Sequence, residues 1–201
     1  GAMGRAFGVA AEFLSPREVL DRYPLLEGKD IVGGLWTPND GQTNPVDTTL
    51  AYAKGARMGG ARIIEQAEVL DVRIEQGHAR GVRVRHDGVE GEVRADTVVL
   101  ATGLWSAEFG RRLGLRLALQ AAEHFYVVTE PVPGLPRDLP VLRVPDEWAY
   151  YKEDAGKLLI GAFEPVAKPW ALDGIPADFC FDALPDDIDH FTPVLEAAMH
   201  R

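Results

Sequence analysis

The spacing of apolar positions changes period several times along this 201-residue chain, and each change marks an expected element. Ser15-Pro16-Arg17-Glu18 combines an N-cap, a proline at the first helical position and a glutamate three residues after the cap. It predicts a short helix to about Tyr23, stopped by Pro24. Ile31 to Trp36 reads as a strand. Asn44-Pro45 starts a second helix with Val46, Leu50 and Ala53 on one face, and Gly59-Gly60 ends it. Ala61 to Ile64 and Glu68 to Ile74 then read as strands, followed by a hairpin of Gly81 to Arg85 and Gly91 to Val93 around Asp87-Gly88.

The run Thr97-Val98-Val99-Leu100 is apolar on both faces, as in a buried parallel strand. After it, Ala101 and Gly103 leave room for close approach, and Ser106 is placed to cap a helix that Glu108 supports from its first turn. Such a turn is either an ordinary strand-to-helix connection or a place where backbone meets a nucleotide phosphate or ribose. From Leu117 onward the pattern shortens. Phe125 to Thr129, Val141 to Val144, Ala149 to Lys152 and Lys157 to Phe163 are short strands separated by proline and glycine turns, which predicts an antiparallel sheet. Asp154 to Lys157 is its expected hairpin turn, and Pro131 to Pro140 a loop.

Composition narrows the function classes. With 46% hydrophobic and 26% charged residues the chain can build a core of its own. The net charge of −10 and the lack of a basic cluster argue against a nucleic-acid partner. No apolar run of about 18 residues is present to span a membrane. The single cysteine, Cys180, has no partner for an intramolecular disulfide or a cysteine metal site, and reads as an incidental thiol.

Several motifs, in order, carry a resemblance. Gly33-Gly34-Leu35-Trp36-Thr37-Pro38-Asn39-Asp40-Gly41-Gln42-Thr43-Asn44-Pro45 comes first. It is followed by Ala101-Thr102-Gly103-Leu104-Trp105, His124-Phe125-Tyr126-Val127-Val128-Thr129-Glu130 and Leu139-Pro140-Val141-Leu142-Arg143. Together they resemble the FAD-dependent oxidoreductases of the D-amino acid oxidase superfamily, in the sarcosine and dimethylglycine dehydrogenase or oxidase branch. Asn44 departs from the Asp that members often carry before the proline, a change that keeps the helix N-cap.

The fold this implies is α+β: an antiparallel-sheet substrate-binding lobe plus a partial FAD-binding, Rossmann-like α/β lobe lacking its first βαβ unit. The G-x-G-x-x-G turn that would hold the pyrophosphate is not among these residues. The final helix, after Asp186 through Phe191, Leu195 and Met199, stops without a glycine cap. The chain is therefore expected to be an interior segment of a longer enzyme and inactive alone. Residues 1–3 are expected to be an expression scar. Residues 4–36 would start the substrate lobe, 37–115 form the partial FAD lobe, 116–183 the substrate-binding sheet and 184–201 the start of a helix.

Taking a hydride from the carbon beside an amine needs the nitrogen lone pair, which an ammonium lacks. A neutral histidine, with a hydroxyl beside it, is suited to take up that proton near neutral pH. The resemblance implies His124, in His124-Phe125-Tyr126, and Tyr150, first of the Tyr150-Tyr151 pair, as catalytic residues. Antiparallel strands that neighbour one another would bring both to one face, and alternation sends Tyr151 to the other. Arg143 is the candidate for the substrate carboxylate, by two parallel hydrogen bonds. Trp36 and Trp148 are expected in the core, with a methylammonium pocket as the alternative.

By position, the resemblance implies FAD contacts from the Val69 backbone at the adenine, and from Ala101, Gly103 and Trp105 near the ribose and pyrophosphate. FAD is expected in the complete enzyme and little or none on this stretch. A covalent link is not expected, because the attaching histidine of related enzymes would lie upstream. The expected partner is a small N-methyl amino acid, with no metal, no nucleic acid and no membrane. The expected location is cytoplasmic, or the mitochondrial matrix in a eukaryote. A different class stays open: a non-catalytic binding or assembly subunit of a flavoprotein complex. Oxygen, an electron-transferring flavoprotein and a quinone all remain open as electron acceptors, and sarcosine and dimethylglycine are not distinguished.

Overall fold

The computed structural model describes residues 2–201, so only Gly1 of the expected scar lies outside it. Among these residues the helices are α1 (Ala2–Ala6), α2 (Pro16–Arg22), α3 (Pro45–Met58), α4 (Ser106–Arg112) and α5 (Ile188–His200). The strands are β1 (Glu12–Leu14), β2 (Gly34–Trp36), β3 (Ala67–Glu75), β4 (His78–His86), β5 (Val89–Arg94), β6 (Tyr126–Val128), β7 (Leu142–Val144), β8 (Ala149–Asp154) and β9 (Lys157–Ala162). They form two compact units. Among the described residues, one comprises 2–42, Glu123–Lys168 and Asp182–Arg201, the other Thr43–Ala122 and Pro169–Phe181.

The first unit is built on a four-stranded antiparallel sheet in the order β6-β9-β8-β7. The period-2 pattern sorts its residues: Ala149, Tyr151, Ile160 and Ala162 are buried against Phe191 and Val194 of α5 and against Tyr23, Leu135 and Leu139. The turn between β8 and β9 is the expected one, with Ala155 and Gly156 both in the left-handed region. In α2, Ser15 accepts from the Glu18 N–H while the Glu18 carboxylate accepts from the Ser15 N–H, so both capping bonds are made. The strand expected over Ile31 to Trp36 is confined to Gly34–Trp36, where β1 pairs with it.

Arg201 ties the end of α5 into this unit. Its guanidinium pairs with Glu147 and, at 2.6 Å, with Asp30, and its carbonyl accepts from the Glu27 N–H at 2.6 Å.

The second unit holds a three-stranded meander, β3-β4-β5. Asp87 and Gly88 turn β4 into β5 with φ of 51° and 75°, the left-handed pair that a tight two-residue hairpin requires. Gln76 and Gly77 turn β3 into β4 in the same way, at φ of 49° and 78°. The α3 helix starts at Asn44, whose side chain accepts from the Val46 and Asp47 N–H groups.

Three expectations fail in this unit. Ala61 to Ile64 forms no strand, and neither does Thr97 to Leu100, where Val99 is 80% exposed. A parallel strand is held by ladder bonds from its neighbours, and no described strand pairs with either segment. Ser106 does not cap α4. A 3₁₀ turn over Gly103–Trp105 leads directly into the helix, so Ser106 is already helical and its hydroxyl meets that of Thr102 at 2.9 Å.

Candidate active site

The face of the four-stranded sheet turned away from α5 carries one transverse row of residues from all four strands. Tyr126 lies opposite Gly161, Gly161 opposite Tyr150, and Tyr150 opposite Arg143. Extending the alternation by two residues along each strand gives His124, Phe163 and Trp148. The first and third strands are not neighbours, contrary to expectation, because β9 runs between β6 and β8. His124 also lies two residues before β6 begins.

Contact across the intervening strand depends on Gly161. A β-carbon there would fall inside the Tyr150 ring. With none, the phenol lies over the glycine backbone and brings its oxygen to 3.3 Å from His124 Nε2. The two rings are near parallel, at 8° with centroids 6.0 Å apart, and Phe163 packs against both. Burial pushes the Tyr150 hydroxyl above the usual tyrosine range, helped by Tyr126 and then Glu164. It stays protonated at neutral pH and is a hydrogen-bond donor.

On the other side of the imidazole lies a residue that no sequence motif singled out. Glu164 Oε2 is 3.5 Å from His124 Nδ1, and its Oε1 accepts from the Phe125 N–H at 3.1 Å. The Glu164 side chain is only 7% exposed, whereas His124 is 46% exposed. A glutamate just before Pro165 reads as loop, and only the pairing of β6 with β9 brings it beside His124.

Arg143 reaches the same face, with its guanidinium 4.2 Å from the Phe163 ring centroid. Trp148 is 44% exposed there, so the core position expected for it is not found. The backbone explains this: Trp148 sits in the left-handed region, φ 55°, at the end of a 3₁₀ turn that directs it out of the sheet. Trp36 is half-buried beneath the Arg22 guanidinium. Tyr151 occupies the core as alternation requires. The result is an exposed aromatic surface holding one imidazole, one phenol, one buried carboxylate and one guanidinium.

The whole chain, residues 1–201, matches the family model described as FAD dependent oxidoreductase, DAO. The chain belongs to this family. Human mitochondrial sarcosine dehydrogenase is 34% identical over 203 residues, covering 100% of this chain. Mouse mitochondrial dimethylglycine dehydrogenase is 34% identical over 194 residues, covering 92%. The chain spans about 22% of the length of each of these relatives. The crystal structure of L-proline dehydrogenase from P. horikoshii superposes with a TM-score of 0.79 over 98% of this chain and 50% of that one, at 22% identity. That likeness bears on the fold, which is α+β with antiparallel sheets as expected.

The family's cofactor is FAD, and four residues expected to meet it lie in the second unit. Val69 is on β3, an edge strand whose outer side is unpaired in its sheet. Gly103 has φ 54° and nothing within 4 Å of where a β-carbon would stand. Ala101 and Trp105 beside it are exposed. Open edge backbone and an uncrowded glycine turn fit the contacts asked of them, so these residues suit part of the dinucleotide. Among the described residues no cluster of His, Cys, Asp and Glu is arranged to hold a metal, and no helix is long and apolar enough to cross a membrane.

Proposed function

We propose that this chain forms the substrate side, and part of the FAD side, of an enzyme that oxidises an N-methyl amino acid of the sarcosine or dimethylglycine type. The observation that carries the reading is the 3.3 Å approach of Tyr150 to His124 on an exposed aromatic face. FAD, when bound, supplies the acceptor for the hydride that leaves the carbon beside nitrogen.

The chain's own residues prepare the amine. His124 Nε2 takes the ammonium proton: the N–H bond breaks, an Nε2–H bond forms, and the nitrogen keeps its lone pair. The cation thus formed sits beside the Glu164 carboxylate. Tyr150, whose oxygen is 3.3 Å from Nε2, donates its hydroxyl hydrogen bond to the neutral imidazole and accepts from Nε2–H once the proton has moved. Tyr126, Trp148 and Phe163 wall the site with aromatic faces that favour a methylated ammonium over water. The Val69 backbone would meet the adenine of FAD, and Ala101, Gly103 and Trp105 would lie near its ribose and pyrophosphate. The glycine-rich turn for the pyrophosphate is not in this sequence, so the 201-residue chain alone is expected to be inactive.

A buried carboxylate and a phenol converging on one exposed imidazole favour the catalytic reading over an assembly subunit. The test is anaerobic mixing of the complete flavoenzyme carrying this chain with sarcosine and with dimethylglycine, following flavin absorbance. Bleaching by either amine, slowed by ~100-fold or more in His124→Ala, supports the reading. If neither amine bleaches the flavin the substrate assignment fails, and if the variant matches wild type His124 is not the base.

A further inference from the structure

We propose that Glu164 is the positioning residue for His124, fixing which ring nitrogen carries the proton. The inference rests on the reading of His124 as the base, and begins with a problem of burial. A carboxylate whose side chain is 7% exposed needs compensation for its lost hydration. Glu164 has two partners: the Phe125 N–H, 3.1 Å from Oε1, and His124 Nδ1, 3.5 Å from Oε2. No Lys or Arg among the described residues lies within ion-pair distance. Lys168, which is close in sequence, is engaged with Glu123 at 3.2 Å and Asp187 at 2.6 Å.

An ionised carboxylate offers only lone pairs, so Glu164 Oε2, 3.5 Å from Nδ1, favours the hydrogen on that nitrogen. A neutral imidazole protonated at Nδ1 has its one lone pair at Nε2. That nitrogen faces the Tyr150 oxygen on the exposed side of the sheet. The alternative tautomer would set two acceptors against each other, Nδ1 and the carboxylate, and leave no lone pair at Nε2 to receive a proton. Phe125 completes the device: its N–H holds the carboxylate from the residue adjacent to His124, so carboxylate and ring share one short stretch of backbone. The 3.5 Å separation is an ion-pair distance, and the attraction strengthens when His124 carries the proton.

The test uses holoenzyme labelled with [15N]histidine, whose solid-state spectrum separates protonated from unprotonated ring nitrogens. The His124 signal is the one lost in His124→Ala. Wild type should show protonated Nδ1 and bare Nε2, and Glu164→Ala should lose this preference. Glu164→Gln, which keeps an acceptor oxygen, should restore it. In stopped-flow flavin reduction, Glu164→Ala should lower the rate at saturating amine by about tenfold to a hundredfold, the range for an outer partner of a functional histidine. The amine concentration giving half the maximal rate should hardly change, and Glu164→Gln should recover most of the loss.

A protonated Nε2 in wild type overturns the proposal, as does an unchanged tautomer in Glu164→Ala. If the alanine variant does not fold, the wild-type and Glu164→Gln spectra still decide it. The tautomer is read without turnover, so a wild type that no N-methyl amine reduces defeats the substrate reading and leaves this result standing.

Discussion

The phenol of Tyr150 lies directly over the α-carbon of Gly161, and the two residues are also paired across β8 and β9. Glycine at 161 therefore lets a side chain on one strand cross a second to meet a residue carried by a third. Gly161→Ala is expected to force the ring aside, at about 1–3 kcal/mol if the sheet must absorb the added methyl. If the ring swings away instead, the stability cost is smaller and the His124 contact is lost. Either way flavin reduction should slow to about the rate of Tyr150→Phe, and the double variant should be no slower than either alone. Reduction at the wild-type rate in Gly161→Ala would show that Tyr150 need not lie where it does.

Arg201 and Glu147 make a second relationship that sequence alone does not suggest. Their side chains are 10% and 16% exposed, and Asp30 joins from the surface. Truncating the guanidinium leaves the Glu147 carboxylate enclosed without its counter-ion. Arg201→Ala is expected to cost about 3 kcal/mol, the lower end for breaking a buried pair. Urea unfolding measures it. Arg201→Met combined with Glu147→Gln should regain much of the loss, since the enclosed charge is then gone. If the single variant unfolds at the wild-type urea concentration, the pair does not fasten α5.

Local chemistry made several elements readable. Ser15-Pro16-Arg17-Glu18, Asn44-Pro45 and Asp87-Gly88 each satisfy or bend backbone within four residues, so the residues that decide the structure are adjacent in the chain. Gln76-Gly77 makes the same kind of turn as Asp87-Gly88 but was less visible, because glutamine is an uncommon left-handed residue. Thr97 to Leu100 misled for the opposite reason. Its composition is that of a buried strand, but a strand exists only through its neighbours, and none pairs with it. The site divides in the same way. His124 and Tyr150 were legible as a pair of motifs. Gly161 and Glu164 were not, because their roles arise from the strand order β6-β9-β8, a long-range pairing that leaves no local pattern.

Alkaline stability should report on two buried phenols. Burial pushes Tyr23 and Tyr151 each up to about 12. Neither hydroxyl has a hydrogen-bond partner among the described residues. In the unfolded chain a tyrosine loses its proton near pH ~10. Between these values the native state holds protons that the unfolded state has released, so stability falls as pH rises. The contribution is complete below pH ~10 and is lost as pH passes through about 12. Urea midpoints from pH 8 upward should therefore decline from near pH 10. In Tyr151→Phe the slope should be shallower and the neutral-pH stability no lower, because the ring stays and an unpaired hydroxyl goes. A slope equal to wild type would mean that Tyr151 ionises as readily folded as unfolded.

Arg143 offers the sharpest reading of substrate orientation. Its guanidinium carbon lies 4.2 Å from the Phe163 ring centroid, a cation–π contact that holds the group over the ring. Phe163 in turn packs against His124 and Tyr150, so one aromatic ring aligns the carboxylate-binding candidate with the proposed base. Arg143→Lys keeps the charge but loses the planar fork. A charge-assisted hydrogen bond contributes about 1.5–3 kcal/mol, so the amine concentration for half-maximal flavin reduction should rise by roughly tenfold to a hundredfold. The rate at saturation should change far less, because the group acts on the carboxylate and not on the reacting nitrogen. N-methyl amines without a carboxylate should be indifferent to the substitution. If the lysine variant leaves the half-maximal concentration unchanged, the carboxylate is held elsewhere and Arg143 serves only to brace Phe163.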